Sequence, residues 1–134
     1  MVFLSIPRGS TLGELGWKTN KTKMFVIDEA LKKADINIAT SGDNTIIAAQ
    51  GVGTYIAIDF ISILPTTAVS VQFKSGSTNY SGPLPLAAQQ ALTWENSSRH
   101  QYGVITCADN ESFVINLGGA VQVGGLIRYR ICQL

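Results

Sequence analysis

Few side chains in this sequence could do chemistry, and they are scattered. His100 is the single histidine, in the polar run Asn96-Ser-Ser-Arg-His-Gln101. A hydrolytic reading pairs it with Ser97 or Ser98 as nucleophile and Asp109 or Glu95 as orienting carboxylate. Such a relay is defined by geometry, and the G-x-S-x-G run that presents a serine on a strand-to-helix turn is absent. A lone loop histidine beside Arg99 reads instead as a solvated residue. Zinc needs three or four ligands, which one histidine and two separated cysteines do not supply. No phosphate-cradling motif occurs, and Gly51-Val-Gly53 reads as a hairpin-type turn. The expectation is a protein that is not an enzyme, with no catalytic residue, metal or cofactor.

Asp59 sits inside an apolar strand. Glycoside hydrolysis would require a second carboxylate at a set distance, and spacing identifies none. The plainer expectation is a satisfied hydrogen bond, an ion pair with Arg128 or Arg130 on a neighbouring strand, or a charge guarding a sheet edge. Cys107 and Cys132 could bridge if their strands are neighbours; without a secretion signal they read as reduced, small apolar residues. Asn20, Asn79, Asn96 and Asn110 begin N-x-S/T sequons, a by-product of Asn/Ser/Thr-rich turns. Trp17 with Lys18, Lys21 and Lys23 is too small a basic cluster for nucleic acid. Trp94 and Tyr102 flank a polar loop that could present aromatics to sugar.

The chain that must position these residues has 134 residues with ten basic and nine acidic side chains, 14% charged and 46% hydrophobic. That length supports one domain with a real core, without disulfides or metal. The low charge argues against disorder or a coiled coil. No apolar run nears the ~18 residues of a membrane span, and the opening Met1-Val-Phe-Leu-Ser-Ile-Pro7 has no signal-peptide form. The expectation is a soluble protein made in the cytoplasm, binding neither nucleic acid nor membrane.

β-Branched residues dominate the apolar set, with 14 Ile and 9 Val against 11 Leu, which favours pleated sheet. Alternation predicts strands at 68–74, with Val69, Val71 and Phe73 on one face, and at 112–117, with Phe113, Ile115 and Leu117. In 125–132, Ile127, Tyr129 and Ile131 share a face, opposite Arg128 and Arg130. Residues 44–50 and 101–107 read as further strands. Turn residues punctuate the chain about every ten positions. The fold class is all-β: a jelly-roll-like antiparallel β-sandwich with an extended N-terminal arm, divided as arm or strap 1–35 and sandwich 36–134.

The strand Thr54–Leu64 breaks the pattern, because both its faces are apolar. Ile56, Ile58 and Phe60 occupy one; Tyr55, Ala57, Ile61 and Ile63 occupy the other. Either a bulge near Phe60 switches the phase, or both faces are covered, by the N-terminal segment or by a neighbouring subunit. On the last alternative, Tyr55, Ala57, Ile61 and Ile63 form a subunit interface. The first 35 residues hold six of the ten basic side chains, with Phe3, Leu4, Ile6, Leu12, Leu15 and Trp17 at no regular period. Asp28–Lys33 could make one or two helical turns, its acids first and lysines last. The segment is either a strap on its own domain or an arm that docks on another protein. The docking residues would be Phe3, Leu4, Trp17, Lys18, Lys21 and Lys23.

Four stretches, in this order, resemble small β-proteins of tailed-phage virions. They are Ser41-Gly-Asp-Asn-Thr-Ile-Ile-Ala-Ala49, Phe73-Lys-Ser-Gly-Ser-Thr78, Ser81-Gly-Pro-Leu-Pro-Leu86 and Asn116-Leu-Gly-Gly-Ala-Val-Gln-Val-Gly-Gly-Leu126. The resemblance spans residues 38–132 and is to capsid decoration (cement) proteins. It implies a structural role on the capsid surface of the virion, a homotrimer, and the major capsid protein as partner. The alternative is a tail-fibre or receptor-binding tip that recognises host-surface glycans.

Overall fold

A computed structural model describes residues 26–96 and 103–134. Ten strands run β1 (Val26–Ile38), β2 (Gly42–Ile47), β3 (Thr54–Pro65), β4 (Val69–Ser75), β5 (Thr78–Asn79), β6 (Leu84–Leu86), β7 (Leu92–Glu95), β8 (Ile105–Thr106), β9 (Phe113–Leu117) and β10 (Val123–Gln133). They form two antiparallel sheets. One has the order β1-β10-β3-β7, with β8 also on β3; the other has the order β2-β9-β4-β5, with β6 also on β4. Strands pair as β1 with β10, β2 with β9, β3 with β7 and β4 with β6, and the chain changes sheet between most of them. That nested winding is the jelly roll, and it confirms the all-β sandwich read from the sequence.

The sheets face each other across an apolar core. Ile56, Ile58, Ile61, Ile63, Ile105, Val123 and Ile127 come from one side, and Val71, Phe73, Phe113, Ile115 and Leu117 from the other. In β4 the alternation is complete, with Val69, Val71, Phe73 and Ser75 buried between half-buried Ser70, Gln72 and Lys74. Phe73 meets the Trp94 ring edge-on across the core, with centroids 5.1 Å apart and planes at 68°.

Two expectations for the N-terminal side change. The segment Asp28–Lys33 is strand, not helix: β1 runs from Val26 to Ile38 along β10, with register shifts on either side of Asp28. Five of the six residues are good helix formers, but a helix of six residues is too short to hold by itself, and the ladder that the 11-residue β10 offers overrides their propensity. Among the described residues the first strand of the sandwich is Val26–Ile38, and the boundary drawn between residues 35 and 36 falls inside it. Of the strand expected over 101–107, the described part is the short β8.

β10 and β3 approach so closely at Gly125 that a methyl group there would strike the backbone carbonyl of Ser62. Gly119, by contrast, faces open space. Gly125→Ala should therefore cost about 1–3 kcal/mol, as overpacking does. Gly119→Ala should stay within about 0.5 kcal/mol of the parent. Urea unfolding midpoints of the two variants check this; equal midpoints would contradict the close approach.

Candidate functional site

The site starts from one extra residue. Along the β3–β10 ladder Phe60 faces Arg128 and Ile58 faces Tyr129, so Asp59 has no opposite number and the register shifts there. This is the bulge that the two-faced apolar pattern allowed. It switches the phase of β3: Ile56 and Ile58 point into the core, and so do Ile61 and Ile63. Phe60 is thereby turned to the outer face.

The four residues grouped as one interface face are therefore split. Ile61 and Ile63 lie between the sheets, 0% and 1% exposed. Tyr55 and Ala57 lie on the outer face with Cys132, in a small buried cluster of their own. The residues Phe3, Leu4, Trp17, Lys18, Lys21 and Lys23, and also His100, Ser97, Ser98 and Tyr102, lie outside the described residues.

Asp59 is held where it is. Its Oδ2 lies 2.8 Å from an Arg130 guanidinium nitrogen, with the two side chains 15% and 36% exposed. Its backbone carbonyl accepts a hydrogen bond from the Asn96 amide at 2.9 Å. The pairing with Arg130 is one of the structural roles expected of this acid. Beside it, one cross-strand row places Lys33, Arg128, Phe60 and Glu95 side by side on β1, β10, β3 and β7. The row borders a groove of about 390 Å³ lined by Leu31, Asp59, Phe60, Glu95, Asn96, Leu126 and Arg128. Leu31 is 42% exposed. Among the described residues neither Arg128 nor Glu95 has an ion-pair partner. The groove thus offers an apolar floor between one free cation and one free anion.

The outer face of the other sheet is polar and internally satisfied. Lys74 Nζ lies 3.0 Å from both Asp43 carboxylate oxygens, and Asn116 Nδ2 donates to Asp43 Oδ1 at 2.7 Å. The Asn116 hydrogen bond, then Lys74, holds the Asp43 carboxyl below its ordinary range.

Ser75, Cys107 and Glu111 are the nearest approach to a reactive cluster. Ser75 Oγ donates to Glu111 Oε1 at 2.6 Å and accepts from the Ala108 amide at 2.9 Å. Burial pushes the Cys107 thiol up to about 11, against a smaller lowering by the Ser75 hydrogen bond. A catalytic cysteine needs the opposite shift. The cluster instead ties the loop after β8 onto β4. Asp109 and Asn110 fasten the same loop to the 51–53 turn, their Oδ1 atoms accepting from Gly53 and Gly51 amides at 2.7 and 3.1 Å. Among the described residues no group of three or more His, Cys, Asp or Glu is placed to hold a metal ion.

The two thiols are free. Cys107 belongs to the inter-sheet core and Cys132 to the outer cluster. The Cys107 amide bonds to Ile56 on one edge of β3, while Cys132 pairs with Tyr55 on the other. Two strand spacings, about 9–10 Å, separate them, beyond the ~7 Å limit for a bridge. The strands are near, but β3 lies between them. Trp94, grouped with Tyr102 as a sugar-facing aromatic, is turned inward onto Phe73.

Fold and surface together define a jelly-roll β-sandwich with an amphipathic groove on one outer face and a polar network on the other. No protein-family model and no curated protein matches the chain. Among solved structures it is similar to a chain from Bacillus endospore appendages, described as a novel family of disulfide-linked pili. Identity is 14%, coverage is 87% of this chain and 99% of that one, and the TM-score is 0.43. A likeness of that size carries no functional argument.

The Cys107 placement has a pH consequence. Its unfolded thiol ionises near the ordinary 9.0 and its folded thiol near 11. Between those values the folded chain binds more protons, so stability present below about pH 9 is lost as pH rises towards 11. Urea titrations across this window should show a shallower decline for Cys107→Ala than for the parent. Parallel declines would place the thiol nearer solvent.

Proposed function

We propose that this chain is a structural protein of a phage virion, which decorates and reinforces the capsid as a homotrimer bound to the major capsid protein. The support is the sequence resemblance over 38–132 together with a sandwich whose polar side chains tie down loops. Ser75, Asp109 and Asn110 all act in that way. Its outer faces offer broad sheet surface for contacts. A decoration protein adds many weak contacts repeated by symmetry, and linked sites convert the later contacts into intramolecular ones. The N-terminal arm, residues 1–35 as read from the sequence, supplies the capsid grip through Phe3, Leu4, Trp17, Lys18, Lys21 and Lys23.

The competing tail-tip reading loses one of its two aromatics, since Trp94 faces the core. The subunit contact cannot rest on Ile61 and Ile63, which the sandwich itself uses.

Two measurements test the proposal. Light scattering of the purified chain should give a mass near three chains; a monomer at all accessible concentrations would remove the trimer. Co-sedimentation with undecorated phage heads should show binding by the full chain and none by a chain lacking residues 1–23. That truncation removes nothing from the ten strands, so it should keep the sheet signature in circular dichroism. Undiminished binding by the truncation would overturn the docking arm.

A further inference from the structure

We infer that the outer face of the β1–β10–β3–β7 sheet is a contact between two copies of this chain, paired face to face about a two-fold axis that runs along β3. The inference rests on the strand register and not on the capsid reading. It requires a doubling of whatever unit the chain otherwise forms.

The cross-strand row supplies the argument. Arg128 on β10 and Glu95 on β7 flank Phe60 on β3, and all three line the outer groove. Each charge is one strand spacing from Phe60, about 5 Å, so the cation and the anion stand symmetrically about the central strand. A half-turn about an axis along β3, lying between two facing sheets, exchanges the two sides of that strand. Arg128 of one copy then stands over Glu95 of the other, and Glu95 over Arg128. The face is its own complement, as an isologous contact requires. A two-fold axis across the strands would instead set Arg128 on Arg128 and Glu95 on Glu95. The charges thus select one orientation, with the two β3 strands parallel.

The residues on the axis suit that orientation. By the alternation of β3 after its bulge, Phe60, Ser62 and Leu64 share the outer face, and Leu64 is 47% exposed. Each meets its own counterpart, so Phe60 packs on Phe60 and Leu64 on Leu64 between sheets that stack about 10 Å apart. Ser62, between them, is already hydrogen-bonded to Thr93 at 3.1 Å. Arg130 is held by Asp59 and Lys33 by Asp35, so neither cation competes for Glu95. Lys33 also lies two strands from β3, and the half-turn carries it past β7. Four strands make a face about 14 Å wide between the outermost two, which places the contact among small interfaces. Pairing is therefore weak, and dilute solution shows the unpaired unit.

Sedimentation equilibrium of the full chain over a concentration series tests this. The mass of the parent should rise from one unit in dilute solution towards two at about 1 mM. Arg128→Glu and Glu95→Arg should each stay at one unit, because each sets like charges face to face at both positions. The double exchange, Arg128→Glu with Glu95→Arg, keeps the parent's net charge and should pair again. An equimolar mixture of the two single variants should also pair, since every contact in the mixed pair joins opposite charges. Thermal melts like the parent's show that the sandwich is intact in each variant. A parent that never doubles, single variants that double as the parent does, or failure of either the double exchange or the mixture would each overturn the contact. The trimer is read separately, from the mass of the unit itself. A unit of one chain that doubles removes the trimer and leaves this contact standing, and a unit of three that never doubles does the reverse.

Discussion

The fold depends on one unpaired residue in its central strand. β3 is hydrogen-bonded on both sides, to β10 along its whole length and to β7 and β8 on the other edge. Side chains of a strand alternate strictly, so without an extra residue the set Ile56, Ile58 and the set Ile61, Ile63 would face opposite ways. Half of the aliphatic surface of the strand would then point outward. The bulge at Asp59 removes that conflict and places all four isoleucines in the core, each at most 1% exposed. The cost is an acid at a position where the ladder is broken. Arg130 and Asn96 compensate it, one by an ion pair and the other through the backbone carbonyl. Phe60 is the other consequence, since the phase change leaves it outside. The outer groove is thus a by-product of the arrangement that completes the core.

Where a strand has one wet face and one dry face, its residues are readable. Val69, Val71 and Phe73, and likewise Phe113, Ile115 and Leu117, alternate in the sequence and line the core as the pattern implies. β1 was hidden for the opposite reason. Its register shifts on either side of Asp28, and Asp28–Lys33 carries charges at consecutive positions, so no period of two survives. Its strand state is imposed by β10. The short β5, β6 and β7 were hidden by length, since two to four residues cannot show a period. Trp94 was misread because a polar neighbourhood in sequence said nothing about which way its ring turns. The alternation Leu92, Trp94 against Thr93, Glu95 was the available signal.

The groove shows the same division. Asp59 and the basic residues of β10 were visible as candidates for pairing, because an acid in an apolar strand needs a partner. That Arg130 is the partner and Arg128 is left free follows from the bulge, which sets the β3 register against β10. Glu95 entered only as a carboxylate that might orient a histidine. Its position opposite Arg128 across Phe60 depends on β7 pairing with β3, a long-range fact that no local pattern encodes. The cysteines are similar: neighbouring strands were the right expectation, but β3 between the thiols forbids the bond.

The two outer faces of the sandwich differ in a way that bears on what each can do. On the β2–β9–β4 side, Asp43 already satisfies Lys74 and Asn116, and Gln72 donates to the Ser81 carbonyl at 2.8 Å. A partner there would have to replace bonds that exist. On the β1–β10–β3–β7 side, apolar surface is open among the described residues, beside Arg128 and Glu95, which have no ion-pair partner among them. Burial of the leucines and Phe60 would be favourable at about 25 cal/mol per Å². The charges would gain partners without first losing any among the described residues. Covering the bulged sheet would therefore break fewer existing bonds than covering the other one. That difference traces to the same residue that closes the core, since the bulge at Asp59 turns Phe60 outward.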